Sequence, residues 1–273
     1  MQQGDQTRQP RKPYRVRHPL KIRSVTVSNI EKLSPSMLRF VFTDDDLTDF
    51  NSASFDDHVK VFFPDPQTGK LVLPQVTEQG ITFPEGEQPV MRDYTPRYFK
   101  HNQLTIDFAL HEAGPATDWA KHAKIGDVLG IGGPRGSMVI PMDFDGYILM
   151  GDETALPAIG RRLEELPRDT QVLVIAEVDC IQDQLDWNCP AETEIIWLQR
   201  LGQPAGEATL FLQALEQAPF PEGDFHVWIA AETNVARQLR KVLVEDYGIN
   251  KNYIKAAGYW QLGKSDTHEV LED

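Results

Sequence analysis

Cysteine is nearly absent. The 273 residues contain two, Cys180 and Cys189, too few for a disulfide framework and without cysteine or histidine company at metal-ligand spacing. Both are expected as unpaired thiols near a loop, and no protein metal site is expected. Long apolar runs are missing as well: no stretch approaches the roughly 20 apolar residues that span a bilayer. The opening residues MQQGDQTRQP lack the apolar core of a secretory signal, so the cytoplasm is the expected compartment and no membrane is expected as a partner. Positive charge is scarce too. The 27 Lys/Arg against 41 Asp/Glu leave a formal net charge of −14, a surface that repels the phosphate backbone of nucleic acids.

What is present is an ordinary globular composition in a chain long enough for two domains with conventional cores. Charge is uneven along it: residues 1–23 hold seven Lys/Arg and one acid, which leaves −20 for the remainder. That leader, Pro-punctuated and poor in apolar residues, is read as a solvated basic segment over 1–18; the alternative is an arm folded back on the acidic body.

The rhythm of the chain changes near residue 145. Between residues 20 and 140 the runs LKIRSVTVSNI, MLRFVF, HVKVFF, VMRDYTPRYF, LTIDFALH and VLGIGG alternate apolar and polar residues and are separated by Pro- and Gly-rich turns. They predict a six-stranded antiparallel Greek-key β-barrel over 19–143, interrupted by one helical piece at PATDWAKHA. From 144 to 264 the order is strand, loop, helix. YILMGDE leads into TALPAIGRRLEEL, with Leu156, Ile159, Leu163 and Leu166 on one helical face. VLVIAEV, EIIWL and FHVWIAA are near-continuous apolar runs, as in strands covered on both faces. A helix from Thr233 to Tyr247 stops at Gly248, and YIKAAGY is a last strand, which together predict a doubly wound parallel α/β domain. An acidic tail occupies 265–273.

Several segments could carry chemistry. In VMRDYTPRYF, strand alternation puts Arg92, Tyr94 and Pro96 on one face and Asp93, Thr95 and Arg97 on the other. Arg92 could pair with a diphosphate, Tyr94 could stack on a flat ring and Thr95 could hydrogen-bond a ring nitrogen; the bland alternative is an exposed strand whose tyrosine covers core. In LTIDFALHEAGPATDWAKHA, Pro115 suits the first turn of a helix whose amides at Ala116, Thr117 and Asp118 would face a diphosphate, with the Asp118 carboxylate unfavourable there unless it turns away. The alternative there is a surface helix that pins the barrel with Trp119. His111 is either a core histidine or a base. IGGPRGSMVIP lacks a phosphate-loop lysine and reads as a strand end with a tight turn. GDETALPAI lies where open α/β sheets bind ligands, yet Asp152 and Glu153 would repel a diphosphate placed on that turn, so nicotinamide binding there should be weak or differently oriented.

Taken in order, RDYTPRYF, DFALHEAGPATDWA, GPRGS, GDETALPAI, WIAAETNVARQLRKVL and GYWQLG resemble the siderophore-interacting protein family of flavin-dependent ferric-siderophore reductases, within the ferredoxin-NADP reductase superfamily. The resemblance spans about residues 18–264. It implies FAD in the barrel, held by Arg92 at the diphosphate, Tyr94 and Thr95 at the isoalloxazine, and the Ala116 and Thr117 turn. Asp107, Phe108 and His111 would line the cofactor, and Tyr259 with Trp260 would form the aromatic terminus near the flavin. Gly151, Asp152, Glu153 and Thr154, with Ala231, Glu232 and Thr233, would form the nicotinamide side.

A flavin suits the implied reaction because a nicotinamide delivers two electrons as hydride whereas ferric iron accepts one. Reduction weakens the match between iron and its hard oxygen donors, so the metal can leave. A negatively charged ferric siderophore approaching a chain at −14 requires a local basic patch, for which Lys60, Arg97, Arg135 and Lys264 are the candidates. Glu177 and Asp179 at the end of VLVIAEVDC disfavour the extra phosphate of NADPH, so NADH fits better on charge, with NADPH or a reduced ferredoxin as the other donors. A monomer is the expected state. Two alternatives remain: a siderophore carrier with a vestigial flavin, and a general ferredoxin or flavodoxin reductase.

Overall fold

A computed structural model describes residues 11–78, 80–84, 89–110, 114–189, 192–264 and 269–271. Its first lobe contains β1 (Tyr14–Arg17), β2 (Ile22–Ser34), β3 (Met37–Thr43), β4 (Val59–Phe63), β5 (Gln75–Thr77), β6 (Gly80–Thr82), β7 (Val90–Tyr94), β8 (Pro96–Lys100) and β9 (Gln103–Ala109). Helix α1 (Pro115–His122), β10 (Val128–Gly132) and β11 (Gly136–Val139) complete it. Seven strands form one antiparallel sheet in the order β7-β4-β10-β2-β3-β9-β8. Its two edges, β7 and β8, are separated in the chain by Thr95 alone. One residue cannot cross the ~30 Å width of a flat seven-stranded sheet, so the sheet must curl until its edges approach. The alternating residues Val25, Val27, Phe40, Phe42, Val61, Phe63, Leu104 and Ile106 fill the inside of the curl.

Two expectations are corrected here. VMRDYTPRYF is two strands rather than one, because β7 pairs with β4 and β8 with β9, which makes the six expected strands seven. The leader, expected to be solvated, is an arm from residue 11 onward. β1 pairs with β11, and the buried Arg11 lies over the Phe144 ring at 5.2 Å while reaching Asp145 at 3.2 Å. The acids of the second lobe give the basic leader somewhere to fold.

The second lobe runs β12 (Gly146–Gly151), α2 (Leu156–Glu165), β13 (Gln171–Val178), β14 (Glu192–Gln199), α3 (Thr209–Leu215), β15 (Phe225–Glu232), α4 (Thr233–Glu245), β16 (Ile254–Trp260) and β17 (Glu269–Val270). The sheet order is β14-β13-β12-β15-β16-β17, parallel except at β17. Leu156, Ile159 and Leu163 of α2 pack on one face against Tyr147, Leu149 and Val174. Phe211 and Leu215 of α3 and Leu239 and Leu243 of α4 cover the other, over Ile148, Met150 and Ile229. Burial on both faces explains the continuous apolar runs. After α4 the chain turns at Gly248, whose φ of +67° suits a residue without Cβ. Of the expected acidic tail, residues 269–271 instead return to the sheet, Val270 opposite Ala257.

Polar clasps join the lobes. Asp56 of the barrel accepts from Trp228 Nε1 at 2.9 Å and meets Lys255 Nζ at 2.5 Å, and Arg161 of α2 donates to Ser52 Oγ and to the Pro96 carbonyl. Beneath the seam the His226 imidazole is buried between Phe144 and Tyr147, and burial pulls its pKa down to about 3. The folded state therefore binds fewer protons than the unfolded chain between about pH 3 and 6.5. Stability contributed by the neutral ring is present above pH 6.5 and lost as pH falls through that window, on the order of 3–5 kcal/mol in total. Melting temperatures measured from pH 7 to pH 4 should fall less steeply in His226→Gln than in the parent; parallel curves would remove His226 as a cause.

Candidate functional site

Thr95, the link between the two sheet edges, is buried beside the lobe seam, and Tyr259 from the last parallel strand hydrogen-bonds to its side chain. The preceding Tyr94 is half-buried, its ring centroid 4.2 Å from that of Phe108. Phe108 is in turn packed by Phe40, Phe63 and Trp119. Burial pushes the phenol of Tyr94 upward, so it remains a neutral aromatic face with a proton to donate. Arg92, one turn of the pleat away, is half-buried and donates from Nη1 to the Met91 carbonyl at 2.7 Å.

Helix α1 packs against β7, the strand that carries Arg92 and Tyr94. Its N-cap is Gly114 at φ +148°, ψ 151°, followed by Pro115, and a glycine has no side chain of its own to cap the helix end. Among the described residues, a Cβ built on Gly114 would meet nothing within 4 Å. Ala116 and Thr117 are buried against the barrel, whereas Asp118 points to the exposed side. A glycine-capped, positively polarised helix end beside an arginine-bearing strand and an aromatic wall fits the diphosphate and ring of a flavin dinucleotide.

Two residues expected to line the cofactor do not. Asp107 is buried and engaged by Arg39 at 2.7 and 2.8 Å, and Phe108 is wholly buried behind Tyr94, so both support the wall rather than form its surface. His111 lies outside the described residues. Trp260 is placed differently too: its indole donates to Asp152 Oδ2 at 2.7 Å on the second lobe, and it is Tyr259 that reaches Thr95. Successive residues of a strand face opposite sides, so only one of the two aromatics could.

The rim at the C-terminal ends of the parallel strands gathers the second set. Gly151 allows β12 to approach its neighbours, since a Cβ there would lie 2.3 Å from Ala155 Cβ and 2.4 Å from the Ala230 carbonyl oxygen. Asp152, buried, accepts from Thr154 N and Oγ1 and, across the sheet, from Glu232 N. Glu232 follows Ala231 at the end of β15 and caps α4 by accepting from Asn234 N and Val235 N. Thr233 donates to the Trp260 carbonyl. Glu153 pairs with Arg200, which also meets Glu177 at 3.0 Å. Desolvation lifts the Glu177 carboxyl to about 7. Glu177 is thus buried against a guanidinium, and the half-buried Asp179 accepts from Gly202 N.

The four basic candidates do not form one exposed group. Arg97 is fully buried, its guanidinium bonded to Glu164 at 2.6 and 3.1 Å across the lobe seam, and this removes it from any substrate surface. Lys60 pairs with Asp93 at 2.9 Å on the adjacent strand. Gly132 stands opposite Lys60 in the sheet, so the turn that presents the exposed Arg135 leaves the barrel beside it. Lys264 is exposed beyond β16.

Comparison with known proteins agrees with this geometry. Residues 26–138 match the siderophore-interacting FAD-binding domain and residues 144–263 match the siderophore-interacting protein model. The NADPH-dependent ferric-chelate reductase of Escherichia coli K12 is 38% identical over 92% of this chain and 97% of that protein. The ferric vibriobactin reductase of Vibrio cholerae is 36% identical over 86% and 87%. Among solved structures, a siderophore utilization protein from T. fusca superposes with a TM-score of 0.88 at 39% identity, covering 94% of this chain and 98% of that one. The ferredoxin reductase of carbazole 1,9a-dioxygenase, at 15% identity and a TM-score of 0.62 over 87% and 67%, shares the fold alone. With a curled antiparallel lobe followed by an α/β lobe and both family models matched, the chain belongs to the siderophore-interacting protein family.

Proposed function

We propose that this protein is an FAD-dependent reductase of ferric siderophores, a cytoplasmic monomer that releases ferrous iron with electrons from NADH, NADPH or a reduced ferredoxin. The packing of α1, with its glycine N-cap, against the strand of Arg92 and Tyr94 carries the reading, because this segment would offer a diphosphate site and an aromatic wall and matches an FAD-binding domain. Names given to the E. coli and V. cholerae relatives supply the substrate class and a nicotinamide donor. In finer topology the first lobe is read as a Greek-key barrel over 19–143 and the second as a doubly wound domain over 144–264.

When bound, FAD supplies the conversion from two-electron to one-electron transfer. The chain's own residues then position it. Arg92 and the amides of Ala116 and Thr117 hold the diphosphate, Tyr94 backs the ring, and Thr95, steadied by Tyr259, orients the ring edge at the seam. The protein needs no iron ligands of its own, since the metal arrives wrapped in oxygen donors. Lys60, Arg135 and Lys264 attract the anionic chelate, without Arg97. Replacing Lys60 and Lys264 together by alanine should raise the apparent KM for an anionic ferric chelate about three- to tenfold while FAD remains bound. An unchanged KM in steady-state assays with a ferrous trap would remove both from the chelate path.

A further inference from the structure

Open α/β sheets ordinarily grip a dinucleotide through backbone amides at the C-terminal rim of their strands, where a helix N-terminus meets the diphosphate. In this rim five amides already have partners. Thr154 N donates to Asp152 Oδ1 at 3.0 Å, Ala155 N to the Asp152 carbonyl at 2.9 Å and Leu156 N to the Glu153 carbonyl at 3.4 Å, and the next residue, Pro157, has no N–H. Across the crevice the α4 amides of Asn234 and Val235 donate to Glu232 Oε2 at 2.5 and 3.1 Å. Asp152 Oδ2 binds Glu232 N and the Trp260 indole, and Glu232 Oε1 accepts from Leu262 N at 3.3 Å, so the chain after β16 is fastened to the same two acids. Both carboxylates are buried, and Arg200 is held between Glu153 and Glu177. A diphosphate entering here would meet two buried anions and would displace their hydrogen bonds, each costly to leave unmade. The contrast with α1 lies at the N-cap: α4 is closed by its own Glu232 side chain, whereas the α1 N-cap is Gly114, which has no side chain to do so.

We infer that the α/β lobe accepts a reduced nicotinamide ring without gripping the adenosine diphosphate half of the dinucleotide, with Asp152 and Glu232 as the residues that exclude its diphosphate. The inference rests on the reductase reading above. The chemistry requires only the ring: a dihydronicotinamide gives up a hydride, carrying two electrons and one proton, to the flavin and leaves as the oxidised pyridinium. NADH, NADPH and reduced nicotinamide mononucleotide then become equivalent donors, and the 2′-phosphate of NADPH makes no contact that discriminates it.

The test mixes FAD-loaded protein anaerobically with each of these three donors and follows flavin bleaching, while calorimetry measures binding of adenosine 2′,5′-bisphosphate. Second-order bleaching constants within about tenfold of one another, with no bisphosphate binding in the submillimolar range, are expected. A mononucleotide slower than NADPH by more than about tenfold, submillimolar bisphosphate binding, or failure of all three donors would overturn the inference. A separate arm reduces the flavin with dithionite and adds ferric chelate with a ferrous trap; its outcome judges the reductase reading independently of the donor. In Glu232→Gly, which opens the α4 amides, NADPH should outpace the mononucleotide by about tenfold, and a ratio still near one would show that Glu232 is not the excluding residue.

Discussion

Arg97→Ala is expected to destabilise the folded protein by about 3–5 kcal/mol, the largest loss of any single substitution considered for this chain. The guanidinium is fully buried, bonded twice to Glu164 of α2 and 3.8 Å from Asp107 of the barrel, and it lies over the Tyr98 ring at 4.1 Å. Alanine would leave the buried Asp107 with Arg39 alone and the partly exposed Glu164 without its guanidinium. Glu164 is also held by the Tyr98 hydroxyl at 2.7 Å, so the loss would spread across the seam between lobes. Arg97→Lys should recover only part, because an ammonium cannot repeat the forked geometry toward Glu164. Urea unfolding curves measure the difference directly. A change below about 1 kcal/mol would mean that the seam tolerates an unpaired pair of acids, against the usual cost of breaking a buried ion pair.

The second large effect is on cofactor binding. Arg92→Ala should weaken FAD about 10- to 100-fold, the size expected for losing one charge-assisted contact to a diphosphate. Gly114→Val should weaken it at least comparably for two reasons. At φ +148° an L side chain is strained by about 1–3 kcal/mol. The added side chain would also stand at the N-cap of α1, where the diphosphate is proposed to bind. Equilibrium titration of flavin-free protein, with folding monitored by circular dichroism, separates loss of the site from loss of the fold. Wild-type affinity in both variants would place the diphosphate elsewhere.

Much of this arrangement is legible in the chain itself where the forces are local. The α2 stripe of Leu156, Ile159 and Leu163, the stop of α4 at Gly248 and the doubly buried strands follow from spacing alone, because burial on one stripe or on both faces leaves a period in the sequence. Pro115 marks α1 for the same reason. The misreadings are long-range. Nothing within ten residues of Arg97 announces Glu164, and a charged residue in an alternating run reads as exposed until the second lobe supplies its partner. The break at Thr95 depends on which strands β7 and β8 pair with, and pairing across a curled sheet leaves no local signal. Arg11 finds its acids more than 130 residues away, at Asp145 and Asp224. Helix α3, a seven-residue piece between loops, has too few turns to leave a period in the sequence. The acids of GDET are legible as acids beside a sheet crevice, but their partners, Trp260, Glu232 and Arg200, come from distant strands and loops.

Everything functional here depends on a flavin dinucleotide seated between α1 and the Tyr94 wall, and binding stoichiometry tests that most directly. Flavin-free protein that retains its native circular dichroism should take up one equivalent of FAD with perturbed flavin absorbance, and should bind FMN, which lacks the diphosphate bridge to adenosine, at least about 100-fold more weakly. Equal affinity for FMN, or a natively folded protein that takes up no FAD, would contradict the account.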